Sequence, residues 1–78
     1  MRRIEDYDKI IAEAVKAERI KLGLSQANLA AEIGVTFQQV QKYESGKDRI
    51  SCGKLYKIAK VLRVPIFYFY KDIPQEEK

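Results

Sequence analysis

A chain of 78 residues, 46% of them hydrophobic, is long enough for one small domain with its own core, near the size at which disulfides or metals become necessary. Cys52 has no second cysteine to pair with, and the absence of histidine removes the usual zinc ligand sets along with most general acid–base and triad schemes. Fifteen basic residues against eleven acidic ones favour an acidic partner, though the excess alone names none.

No apolar run approaches the length of a membrane span, and the start Met1-Arg2-Arg3-Ile4-Glu5-Asp6 turns acidic where a signal peptide would be hydrophobic. The glycines Gly23, Gly34, Gly46 and Gly53 form no phosphate-cradling loop. These features predict an unexported, cytoplasmic protein with no catalytic constellation, cofactor, metal or evident small-molecule ligand.

In chain order the pattern is helix after helix. The first is expected from Asp8, as N-cap, to about Gly23, with Ile11, Val15, Arg19 and Leu22 along one stripe. One member of that stripe is charged. The second is short: Ser25 caps it, Leu29, Ala30 and Ile33 are its apolar face, and Gly34 supplies a left-handed stop. After Val35, Thr36 caps a third helix from Phe37 to Ser45, terminated by Gly46 and followed by the charged loop Lys47-Asp48-Arg49. Ser51 caps a fourth, whose Leu55, Ile58, Ala59 and Leu62 recur at the spacing of a buried stripe. Pro65 opens a fifth short segment, Ile66 to Tyr70, and residues 74–78 are expected to fray. Cys52 is expected to be a small, partly buried residue, and Lys57 and Lys60 to lie on an exposed face.

Helical phase divides the third helix. At about 100° per residue, Val40 and Tyr43 point to one side with Glu44 at their edge, and Phe37, Gln38, Gln41, Lys42 and Ser45 fall on the other. A short helix, a tight turn on glycine and a second helix that buries only a thin stripe make a helix-turn-helix. Gln38 can pair bidentately with adenine and Lys42 can donate to guanine; Gln41 shares their face. Phe37 has two readings, contact with a thymine methyl or packing against the end of the second helix. Ser25, Gln26 and Thr36 sit at helix N-termini, where backbone N–H groups attract phosphate. Ser45, Lys47 and Arg49 are the remaining candidates for the phosphate backbone.

The run "RIKLGLSQANLAAEIGVTFQQVQKYESGK" resembles the XRE family of phage repressors and Cro proteins in Arg19, the L-S-Q of Leu24 to Gln26, Ala30, Gly34, Val40 and the Y-E-S-G of Tyr43 to Gly46. The similarity continues through "LYKIAKVLRVP" and covers roughly residues 8 to 70. It implies an all-α, compact five-helix bundle over residues 1–78 with an ordered core of about 8–70, acting as a homodimeric transcription regulator, most often a repressor. The third helix would enter the major groove. Carried over by position, Gln26 and Thr36 match phosphate contacts, Phe37, Gln38 and Lys42 match base readers, and Arg19 and Glu44 match a partly buried ion pair. Two positions depart from the pattern: Asn28 replaces a more usual acidic residue, and Phe37 stands where polar side chains are common.

Four of the eight aromatic residues are adjacent, Phe67 to Tyr70, and so short a helix cannot bury them all. Phe67, Tyr68 and Tyr70 are therefore expected at a homodimer interface that sets two copies about 34 Å apart on a palindromic operator. The alternative is that these aromatics only close the core of a monomer that pairs on DNA. An antitoxin or protein-binding adaptor with the same fold is the second functional reading.

Overall fold

Three hydroxyl side chains set three helix starts. The computed structural model describes residues 4–74, and each of Ser25, Thr36 and Ser51 sits in extended backbone with its side-chain oxygen accepting an N–H three residues on, from Asn28, Gln39 and Lys54 at 2.9, 3.0 and 3.1 Å. They open α2 (Gln26–Ile33), α3 (Phe37–Glu44) and α4 (Cys52–Leu62). At Ser25 the cap is reciprocal, because the Asn28 side-chain oxygen accepts the Ser25 N–H at 3.2 Å. Asn28 thus does what an acidic residue does in a capping box, without the charge.

Helix α1 (Ile4–Lys21) starts earlier than expected, so residues 4–7, read from the sequence as a tail, are helical. Asp8 therefore does not cap; it lies within the helix and pairs with Arg49 Nε at 3.0 Å. The helix also stops sooner. Gly23, at φ 75°, turns the chain so that the Leu24 N–H reaches back to the Arg19 carbonyl at 3.1 Å. Leu22 falls beyond the last turn and stays 45% exposed, leaving the stripe it was expected to join. Gly34, at φ 77°, ends α2, and its N–H donates to the Ala30 carbonyl at 2.9 Å.

The fifth segment falls where it was expected but is not an α-helix. Among the described residues there are four α-helices and one 3-10 helix, Ile66–Tyr70. Its period of three sorts the side chains into columns. Ile66 and Phe69 face the core, with Phe69 fully buried. Tyr68 and Lys71 form the next column, the Lys71 ammonium lying 5.3 Å from the Tyr68 ring centre. Phe67 and Tyr70 are the third, outward one.

Helix α2 packs against α3 and α4, while α1 crosses behind α3, α4 and the 3-10 helix. Val15, Leu29, Ile33, Val40, Ile58, Leu62 and Phe69 fill the space between them. Each contributes about 1.5–3 kcal/mol of burial, which makes so small a core sufficient without a cross-link. Cys52, expected to be partly buried, is exposed at the start of α4. No described helix is long and apolar enough to cross a membrane. The tail expected over residues 74–78 lies outside the described residues except for Pro74, as do Met1 to Arg3.

Candidate nucleic-acid interface

The third helix is fixed from behind by a charge network. Arg19 Nε and Nη2 donate to the two carboxylate oxygens of Glu44 at 2.7 and 2.9 Å, a bidentate pair, and Arg19 Nη1 donates to the Leu24 carbonyl at 2.7 Å. Gln26 Nε2 donates to Glu44 Oε1 at 3.0 Å. One carboxylate at the end of α3 thus ties α1, the start of α2 and α3 together. The Arg19 and Glu44 side chains retain only 9% and 3% of their exposure.

The opposite face of α3 is open. Gln38, Gln41 and Lys42 are exposed and make no side-chain hydrogen bond or ion pair with any described residue, and Phe37 is 42% exposed at the first turn. Gln38, Gln41, Lys42, Ser45 and Lys47 line one open hollow along this face. Gln38 and Lys42 stand one turn apart, about 6 Å along the axis, which spans roughly two base steps.

The other expected contacts are scattered around this face. Ser25 and Thr36 are exposed and occupied as caps, Gln26 is half-buried against Glu44, and the Ser45 hydroxyl donates to the Lys42 carbonyl at 3.3 Å. Lys47 is exposed and makes no side-chain hydrogen bond or ion pair with any described residue, whereas Arg49 is braced on Asp8 of α1. Of the aromatics expected at a dimer face, Phe67 is 70% and Tyr70 41% exposed. Tyr68 turns inward instead: its hydroxyl donates to Glu18 Oε1 at 2.8 Å and its ring meets Phe69 edge-on. Glu18, nearly buried, supplies the acceptor that holds it there.

Sequence reasoning did not single out Asp48 or the pairing of Gln39. Gln39 Nε2 donates to Asp48 Oδ2 at 2.9 Å, and burial together with nearby Asp48 pushes the Tyr43 phenol above its ordinary value. The available signal was weak: an acid between two bases, nine residues from a glutamine.

A short helix, a turn through Gly34 and a second helix with an unoccupied polar face define a helix-turn-helix protein. Residues 15–69 match the helix-turn-helix family HTH_3, and the chain belongs to that XRE-type family. A Rhodospirillum rubrum protein named as a transcriptional regulator in the ATPase CF(0) region is 50% identical over 72 residues, which are 92% of this chain and 67% of that protein. An HTH_3 family transcriptional regulator from Vibrio cholerae has the same fold at a TM-score of 0.80, with 28% identity over 91% of this chain and 40% of its own. The restriction-modification controller protein C.AhdI from Aeromonas hydrophila is also similar, at a TM-score of 0.75 and 26% identity, over 82% of this chain and 96% of its own. Further curated relatives are 39–42% identical, and the chain spans 46–60% of their length.

Proposed function

We infer that the chain binds double-stranded DNA sequence-specifically by laying α3 in the major groove, and that it regulates transcription in the cytoplasm, as a repressor. The observation that carries this reading is the outer face of α3. Gln38, Gln41 and Lys42 have no described partner, yet the helix presenting them is fixed by a buried bidentate ion pair. Side chains left idle on a rigid helix are what major-groove readout requires, because the orientation is settled before the ligand arrives. Phe37 lies at the N-terminal end of the same face. Ser25, Gln26, Thr36, Ser45, Lys47 and Arg49 surround it as backbone contacts that position the helix.

One copy reads only a few base pairs. Phe67 and Tyr70 form an exposed apolar ridge, with Tyr68 at its inner edge, and pairing two copies through it makes a homodimer suited to a palindromic operator with half-sites about 34 Å apart. The test is selection of bound duplexes from random sequence, followed by titration at several salt concentrations. Each neutralised phosphate should add about 0.9 to the slope of log affinity against log salt. Failure to enrich any site, or affinity indifferent to salt, would remove DNA as the ligand and leave the protein-binding adaptor.

A further inference from the structure

The loop between α3 and α4 carries a charge that does not suit a DNA-binding face. Asp48 stands exposed between Lys47 and Arg49, and a carboxylate there repels phosphate. Its geometry supplies a reason for its presence. Asp48 Oδ2 accepts the side-chain N–H of Gln39 from the first turn of α3 at 2.9 Å, and the Asp48 and Lys47 backbone N–H groups both donate to the Lys42 carbonyl, at 3.2 and 2.9 Å. Arg49 fastens the far side of the loop to Asp8 of α1. The loop is thus held at both ends, and Lys47, the residue between those anchors and the helix, makes no side-chain bond with any described residue while lining the same hollow as Lys42 and Ser45.

Resting on the DNA reading above, we propose that Asp48 is a positioning residue: through Gln39 it fixes the α3–α4 loop so that the Lys47 ammonium stays beside the reading face, aimed at the phosphate strand flanking the groove. Gln39 then belongs to the support of the interface and does not read bases, which separates it from Gln38 and Gln41 on the same helix. The attraction of Lys47 for phosphate outweighs the repulsion from Asp48.

The two effects of Asp48 have opposite signs, so the experiment is decisive. The full chain and its Asp48→Ala, Asp48→Asn, Gln39→Ala and Lys47→Ala variants are titrated against the duplex selected by the wild type, at four salt concentrations, with a thermal melt of each to establish that it is folded. Positioning predicts that Asp48→Ala and Gln39→Ala both weaken binding, each lowering the salt slope by about one as Lys47→Ala does; one phosphate left without its lysine is worth about fivefold in affinity near 0.15 M salt. Asp48→Ala combined with Lys47→Ala should cost no more slope than Lys47→Ala alone. Asp48→Asn keeps an acceptor for Gln39 while shedding the charge, so it should bind at least as tightly as the wild type with the slope intact. A merely structural role would lower the melting temperature and leave the slope unchanged. Tighter binding by Asp48→Ala, or equal weakness of Asp48→Asn and Asp48→Ala, would overturn the proposal while leaving the DNA reading in place. A wild type that binds no duplex in a salt-dependent way would instead overturn that reading, and the proposal with it.

Discussion

Glu44 accepts three charge-assisted or amide hydrogen bonds, two from Arg19 and one from Gln26, and its side chain is 3% exposed. Glu44→Ala strands the Arg19 guanidinium in a site with little access to water. Removing one partner of a buried pair costs about 3–5 kcal/mol, against about 0–1 kcal/mol for an exposed one. Burial places this pair in the first class, and the surviving bond from Arg19 Nη1 to the Leu24 carbonyl places the loss near the lower end, about 3 kcal/mol. A chain of this length has a total stability of roughly 4–12 kcal/mol, so the loss is a large fraction of it. Glu44→Gln retains one acceptor oxygen and should lose about half as much. Urea unfolding monitored by circular dichroism, on Arg19→Ala, Glu44→Ala and the double variant, measures the coupling. Arg19→Ala alone leaves Glu44 with only Gln26, so the double variant should be less destabilised than the sum of the singles by about 2 kcal/mol or more. Additivity within about 0.5 kcal/mol would refute the claim that this pair fixes α3.

Gln38→Ala should cost about 1–3 kcal/mol on the selected site and relax discrimination at one base pair, with nonspecific affinity unchanged; equal weakening of every sequence would show that Gln38 reads no base. In sedimentation at micromolar concentration, Phe67→Ala or Tyr70→Ala should convert a dimer mass to a monomer, while Tyr68→Phe, which loses only its bond to Glu18, should leave the mass alone; a monomeric wild type that binds a half-site as tightly as a palindrome would exclude the dimer. Arg63 closes α4 at φ 62°, and Arg63→Gly should stabilise the fold by about 0.5–1 kcal/mol in chemical denaturation; a loss would mean that the Arg63 side chain matters more than its backbone. Burial, with Asp48 adding to it, raises the Tyr43 phenol above 10.0, so the unfolded chain releases that proton first: stability is intact below about pH 10 and falls as pH rises beyond it. Tyr43→Phe should flatten that alkaline decline in a stability–pH series, and an unchanged decline would assign it to other groups.

Short-range chemistry was legible in the sequence. A hydroxyl before an apolar-periodic run and a glycine after it bound α2 and α3 within a residue, because caps and left-handed stops depend on neighbours three or four positions away. What escaped was decided across the fold. Asp8 looks like a cap until Arg49 is known to lie beside it, and Leu22 looks like a core residue until Gly23 turns the chain under it. Four consecutive aromatics cannot be sorted by an α-helical period; the 3-10 period, imposed after Pro65 over only five residues, sends Phe69 inward and Phe67 outward. At the candidate site, phase alone separates Gln38 and Lys42 from Val40 and Tyr43. The partners of Gln39, Gln26 and Tyr68 lie 9, 18 and 50 positions away, beyond any local pattern.

The caps also shape the field around the protein. Ser25, Thr36 and Ser51 are neutral, Asn28 completes its capping box as an amide, and no acidic residue occupies the first turn of α2, α3 or α4. Acids at those positions would each contribute about 0.3–1 kcal/mol by offsetting the peptide dipoles. Their absence leaves three helix ends carrying roughly half a positive charge apiece that no first-turn acid offsets, although Glu44 reaches Gln26 at the start of α2 and Asp48 reaches Gln39 in the first turn of α3. Counting formal charges misses this, since residues 25–46 hold Lys42 against Glu32 and Glu44 and score as slightly acidic. The potential an anion meets there comes from the backbone, and unlike a lysine's charge it does not titrate away at high pH.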